Sequence, residues 1–266
     1  MTHADARVTG FVIAALLAGR TTHADDTSDD ERSTAAHAVT NPLPFAEQLK
    51  FIPSYTFSHD ATRYRAELRF EPVLPYRGLW IPGLDVGDVW SIARFQLTAE
   101  SLQNDSGTAS GLENLNLVDL AARRFGEVTL GVGFGTVFPM ATSPELGPAK
   151  WQLGPAVGFH DDVARILALG ALVQVLWSAA GSSDVSRQSY ATVQPFLALH
   201  VYAGLAITSD APMSLYWAGG ATSVPINLGL GYAFSKHFVG TAKGTVTVAG
   251  NGEGEVKAEL DLSFLP

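Results

Sequence analysis

From Phe45 to the end of the chain, apolar and polar residues alternate with a period of two. In the last segment Val256, Ala258, Leu260, Leu262 and Phe264 share one face, and Glu255, Lys257, Glu259, Asp261 and Ser263 the other. Tyr64, Ala66, Leu68 and Phe70 alternate in the same way with Arg63, Arg65, Glu67, Arg69 and Glu71, as do Leu49, Phe51, Tyr55 and Phe57 with Gln48, Lys50, Ser54 and Thr56. A helix would scatter these residues around its circumference, so the pattern predicts strands. The runs fall at 46–57, 63–74, 88–100, 112–123, 127–138, 149–160, 165–178, 189–199, 201–209, 222–234, 238–249 and 254–265, about twelve in all. At 117–118 the phase slips, which predicts a β-bulge, and a turn is placed near His200.

The predicted strands are long. Twelve residues tilted by about 40° span roughly 30 Å, enough for the apolar band of an outer-membrane barrel, whereas strands in globular sandwiches usually stop at about five or six residues. Segments 58–62, 101–111, 139–148, 179–188, 209–221 and 250–253 are predicted as loops at one end. The turns at the other end are mostly shorter, with 75–87 the exception. Tyr55, Phe57, Phe138, Trp151 and Trp177 gather at one rim and Trp90, Phe234, Phe238 and Phe264 at the other, as interfacial girdles do. Alternation alone also suits a soluble sandwich or a lipocalin-like barrel, whose polar face meets water. Composition tips the choice: only 16% of the 266 residues are charged and 47% are hydrophobic, against about a quarter charged in a soluble domain. The predicted fold is therefore all-β, a transmembrane antiparallel up-and-down β-barrel over 45–266. Outer-membrane lipid and a small-molecule solute are the expected partners, and a monomer the expected state.

The beginning of the chain reads differently. Val8 to Gly19 suits the apolar core of a signal peptide and is too short for a bilayer span, so residues 1–24 are predicted as a signal peptide cut after Ala24. Residues 25–44 open acidic and rich in Ser, Thr and Ala, and are predicted to be a disordered, solvated leader. A net charge of −9 argues against nucleic acid as a partner. The absence of cysteine excludes disulfides, thiolate metal sites and a cysteine nucleophile.

Several ordered motifs carry a resemblance. Gly111-Leu112 opens a strand; Phe138-Pro139-Met140-Ala141-Thr142, Leu146-Gly147 and Lys150-Trp151-Gln152-Leu153-Gly154-Pro155 follow. Asn41-Pro42-Leu43 and Pro72-Val73 precede them; Gln194-Pro195-Phe196, Val224 to Gly229 and Phe264-Leu265-Pro266 come after. Over most of 41–266 the chain resembles a family of bacterial outer-membrane "transporter" proteins, also named for the MetA pathway of phenol degradation. Glu113-Asn114 stand where that family usually has Gly-Asp. The resemblance implies a β-barrel in a Gram-negative outer membrane and uptake of small solutes, aromatic or hydrophobic compounds among them.

No hydrolase, zincin, phosphate-loop or EF-hand motif is present, and no catalytic residue, metal site or cofactor is predicted. The run Gly131-Val132-Gly133-Phe134-Gly135 lies in a strand pattern, where glycines leave lumen space or permit curvature. His59, His160, His200 and His237 lie near strand ends without ligand spacing and are expected at the surface. The candidate site is the charged phase. The first and last strands of a closed barrel are neighbours, which draws Lys50, Arg63, Arg65, Glu67, Arg69 and Glu71 toward Glu255, Lys257, Glu259 and Asp261, with Arg94 and Lys243 extending the lining. Such a network either selects solutes or braces a narrow lumen. Lys150, Trp151, Tyr216 and Trp217 are candidate contacts at the mouth. Two rivals remain: a non-conducting structural barrel, and an outer-membrane lipid-modifying enzyme around Ser58, His59 and Asp60.

Overall fold

A strand that meets lipid must find its backbone hydrogen-bond partners in neighbouring strands, and a sheet closed on itself has no edge left over. The computed structural model, which describes residues 26–58, 63–78, 88–104, 107–164, 166–202 and 204–266, has this form. Helix α1 (Asp26–Thr40) precedes β1 (Gln48–Phe57), β2 (Tyr64–Arg77), β3 (Trp90–Asn104), β4 (Gly107–Leu112), β5 (Leu115–Phe125), β6 (Val128–Phe138) and β7 (Lys150–Ala164). Then come β8 (Leu167–Gly181), β9 (Ser189–Tyr202), β10 (Leu205–Ser209), β11 (Met213–Ala218), β12 (Ser223–Ser235), β13 (Phe238–Gly250) and β14 (Val256–Phe264). Pairing is antiparallel throughout, and β1 joins both β2 and β14, which closes the barrel. Segments β4 and β5 share the position beside β3, and β10 and β11 share the one between β9 and β12, so the fourteen segments form twelve barrel strands.

Three local expectations change. The predicted loops 101–111 and 209–221 contain the end of β3 with β4, and β11. Beyond the membrane both faces of a hairpin meet water, so pairing continues without the alternation that marks a spanning strand. The bulge at 117–118 is not there: β5 holds an unbroken register with β3 and β6. Leu115 and Leu117 point outward while Val118, Leu120 and Ala122 point into an apolar cluster inside the barrel; two apolar faces produced the slip. The turn placed near His200 falls between Tyr202 and Leu205, where Gly204 adopts φ 86°.

The faces sort as the alternation predicts. Leu260 is 40% exposed on the outer wall and its neighbour Asp261 4% exposed inside. Tyr55, Phe57, Trp151 and Trp177 stand outward at the loop end, and Phe234, Phe238 and Phe264 at the turn end. Trp90 departs from its predicted girdle and packs edge-on against Phe45, centroids 5.9 Å apart. Asp119 departs too: it lies on the outer phase, where the Tyr76 hydroxyl donates to its carboxylate at 2.7 Å.

The predicted leader is the largest correction. The predicted signal peptide lies outside the described residues, but 26–40 form a helix seated against the inner faces of β9, β10, β12 and β13 at the turn end. Acidic residues at its start oppose the positive end of the helix dipole, and Ala35, Ala36 and Ala38 favour helix. Ala35, Ala36 and Val39 pack on Ala233, Val239 and Leu265. Gln48 Nε2 donates to the Ala38 carbonyl at 2.7 Å and Lys50 Nζ to that of Val39 at 3.4 Å, meeting carbonyls the last turn leaves without helical partners. An apolar stripe made mostly of alanine is too faint to register as periodicity, so the segment reads as polar.

After the helix, Asn41 Oδ1 accepts the Leu43 amide at 2.7 Å and turns the chain. Leu43 is fully buried among Val73, Ile92, Val118, Leu120, Ala122, Ala156 and Leu172. Glycines make the room. A Cβ on Gly131 would lie 3.4 Å from a Leu43 methyl, one on Gly158 3.1 Å from it, and one on Gly170 2.9 Å from the Pro42 ring. Part of the glycine run in β6 is thus the seat of an internal plug.

Candidate functional site

Inside the barrel, between the plug and the loop end, lies a cavity of about 650 Å³. Its floor is formed by Val39 to Pro42 with Pro44, and its walls carry most of the charged side chains of the polar phase.

Those charges form a closed belt. Arg94 Nε lies 2.8 Å from Glu71, and Glu71 3.6 Å from Arg69. Arg69 reaches Glu259 at 3.6 Å, Glu259 faces Lys243 at 3.4 Å, and Lys243 meets Asp210 at 2.7 Å. Gln194 Nε2 donates to the Asp210 carbonyl at 3.0 Å, and Arg94 Nη1 donates to Gln194 Oε1 at 3.4 Å. This last contact runs from β3 to β9, nearly opposite one another on the barrel, and so crosses the lumen. Cation and anion alternate around the belt, which keeps each ion compensated away from water. Asp261 adds to Lys243 at 3.6 Å, and Gln96 donates to Glu71 at 2.9 Å.

A second cluster lies toward the loop end. Lys257 stands 2.7 Å from Glu67 and 3.4 Å from Glu259, and Ser54 donates to Glu67 at 2.8 Å. Arg65 meets Glu100 at 2.8 Å and Glu67 at 3.9 Å. Glu113, in the break between β4 and β5, completes a trio of carboxylates with Glu67 and Glu100 whose oxygens lie within 4.8 Å of one another. Burial first, and a hydrogen bond with Glu100 second, raises the Glu113 carboxyl to about 9, so it is protonated at neutral pH.

Most predicted lining residues therefore meet inside: Arg65, Glu67, Arg69, Glu71, Arg94, Lys243, Lys257, Glu259 and Asp261. Lys50 lines the cavity but caps the helix, and Glu255 lines it with its backbone carbonyl accepting from Thr247. Arg63 is exposed at the strand end, its carbonyl bonded to the Ser58 amide, outside the cavity lining.

At the mouth, Tyr216 stacks on Tyr190 with centroids 4.5 Å apart, and Tyr190 donates to Gln152 at 2.6 Å. Lys150 turns inward and is buried. Trp151 and Trp217 are exposed on the outer wall, Trp151 packed against Phe138 at 5.0 Å, so of the four predicted mouth contacts only Tyr216 lines the cavity.

Sequence reasoning missed Asp210, Gln194, Glu100 and Glu113. Asp210 sits where the strand breaks at 210–212; Asn227 Oδ1 accepts the amides of Asp210 and Ala211 at 2.8 and 3.1 Å, and its Nδ2 donates to the Asp210 carboxylate at 2.7 Å. The signal available was Asp210-Ala211-Pro212, a strand-breaking run directly after an alternating one.

The histidines also differ from expectation. His59 and Asp60 lie outside the described residues, and His237 Nδ1 stands 2.7 Å from the Leu265 carbonyl. His160 and His200 are buried inside, facing the plug: the His37 and His200 rings stack 3.5 Å apart, and His160 Nε2 lies 3.1 Å from Asp162. Positions near strand ends placed them at the plugged end, which the sequence does not reveal as closed.

In architecture the chain is similar to an outer membrane channel from Pseudomonas putida F1, with a TM-score of 0.63 and 13% identity over 85% of this chain and 98% of that one. It is also similar to the NanC porin, with a TM-score of 0.58 and 14% identity over 82% of this chain and all (100%) of that one. These likenesses establish the fold, a closed antiparallel β-barrel of the kind the resemblance implied. No family model and no curated protein matches the chain.

Proposed function

We propose that this protein is a passive channel of a Gram-negative outer membrane, admitting small solutes, aromatic or hydrophobic ones among them. The observation that carries this reading is the 650 Å³ cavity enclosed by a barrel with apolar residues outside and charged ones within. Residues 1–24 serve as the export signal, the barrel works as a monomer among lipids, and no enzymatic step is assigned to it. The stacked Tyr190 and Tyr216 offer ring faces to an entering aromatic solute. The alternating belt offers little net field, so the aperture discriminates by size and polarity more than by the sign of charge.

Liposome swelling with phenolic, aliphatic and sugar solutes, paired with conductance in planar bilayers, tests the proposal. Faster swelling with small phenols than with sugars of equal mass is expected. A protein that neither conducts nor exchanges any solute removes the channel reading. One observation favours that alternative, a structural barrel: belt and plug both obstruct the path.

A further inference from the structure

Helix α1 itself meets the barrel wall through ionisable rings, and its apolar contact is slight, since Ala35, Ala36 and Val39 are small and the apolar anchor of the plug is Leu43 beyond it. His37 of α1 lies flat on His200 of β9, 3.5 Å between centroids and 18° between planes. Thr40 Oγ1 lies 3.5 Å from His200 Nε2. Beneath them, β7 contributes Asp162, 4.0 Å from His37 Nδ1, and His160, 3.1 Å from the same carboxylate. Arg124 of β5 also claims Asp162, at 3.9 Å. At the other end of the helix Glu31 meets Lys236 at 3.4 Å, both exposed.

We propose that this seam is an acid-released latch: protonation of the stacked His37–His200 pair unseats α1 and opens the turn end of the lumen. This rests on the channel reading above and adds its regulation. Neutral imidazoles stack face to face, but two imidazolium rings at this spacing repel. A solvated imidazole titrates at about pH 6.5, so acidification favours the state in which the rings meet water, with the helix unseated. Asp162, already shared with Arg124, is the carboxylate that stands against the three histidines among the described residues. A first proton is accommodated beside Asp162; further protons are not. Residues 41–47 tether the released helix to β1, so release is reversible.

The test is conductance of the purified full chain in planar bilayers at pH 7.5 and 5.5. Wild type is expected to conduct several-fold more at the lower pH. His37→Phe, which keeps an aromatic face without a titrating nitrogen, is expected to lose that increase, and His37→Arg to conduct at pH 7.5 as wild type does at 5.5. A cysteine pair at Ala36 and Ala233, which share one buried cluster, is expected to hold the channel closed at pH 5.5 until reduced. An acid response of full size in His37→Phe, or in the oxidised cysteine pair, overturns the latch by assigning the response to the lumen carboxylates. Equal conductance at both pH values overturns the latch and leaves the channel standing. Silence of every variant at both pH values overturns the channel reading and the latch with it.

Discussion

The middle of the lumen and its turn end close the same barrel by opposite means. In the middle, long charged side chains reach from β2, β3, β13 and β14, and every ion of the belt depends on its neighbours. At the turn end, glycines of β6, β7 and β8 recede so that Pro42 and Leu43 fit against bare backbone. The first closure is electrostatic and fails when a partner is removed. The second is steric and fails when an atom is added. Deletions should therefore injure the belt, and insertions of bulk the seat.

Arg94→Ala should have the largest effect on stability. It takes the nearest cation from the buried Glu71 and cuts the cross-lumen contact with Gln194. Leaving a buried charge short of its partner costs about 3 kcal/mol, so thermal unfolding of the detergent-solubilised barrel should fall by several degrees; an unchanged midpoint would mean that Arg69 alone suffices for Glu71. Gly158→Val comes next, since its side chain meets the Leu43 and Leu120 methyls. Overpacking of this kind costs about 2 kcal/mol, and the plug, held by a single tether, should yield before the wall does. Conductance should rise while the barrel's melting temperature barely moves.

Gln194→Ala removes the strut without stranding an ion and is expected to raise single-channel conductance severalfold with about 1 kcal/mol of stability lost. The smallest expected effect is that of Trp217→Ala, on the outer wall: no change in solute passage. If Trp217→Ala altered passage as much as Gln194→Ala, the assignment of faces would be inverted. A lipid-soluble label that tags Leu260 and Leu68, with no reaction from water-borne reagents, checks the same assignment in intact membranes.

How much of this was legible follows the same division. In β14 the side chains of Lys257, Glu259 and Asp261 stand on one face because every second residue must, so period two is enough to place them inside. Lys243 and Arg94 were reached by the same rule. Gln194 carries no charge, and Asp210 gains its position from a strand break, so neither stands out in a periodicity. The seat was invisible for another reason. A glycine records only that a side chain is missing, and what fills the gap over Gly158 comes from more than a hundred residues earlier in the chain, at Leu43. The helix was hidden because alanine can bury without looking apolar in a polar neighbourhood.

Because the plug hangs directly from β1, and β1 is the strand that zips to β14 to finish the cylinder, the cork and the seam belong to one piece of chain. The stopper is therefore delivered with the closing strand, seven residues ahead of it along the chain.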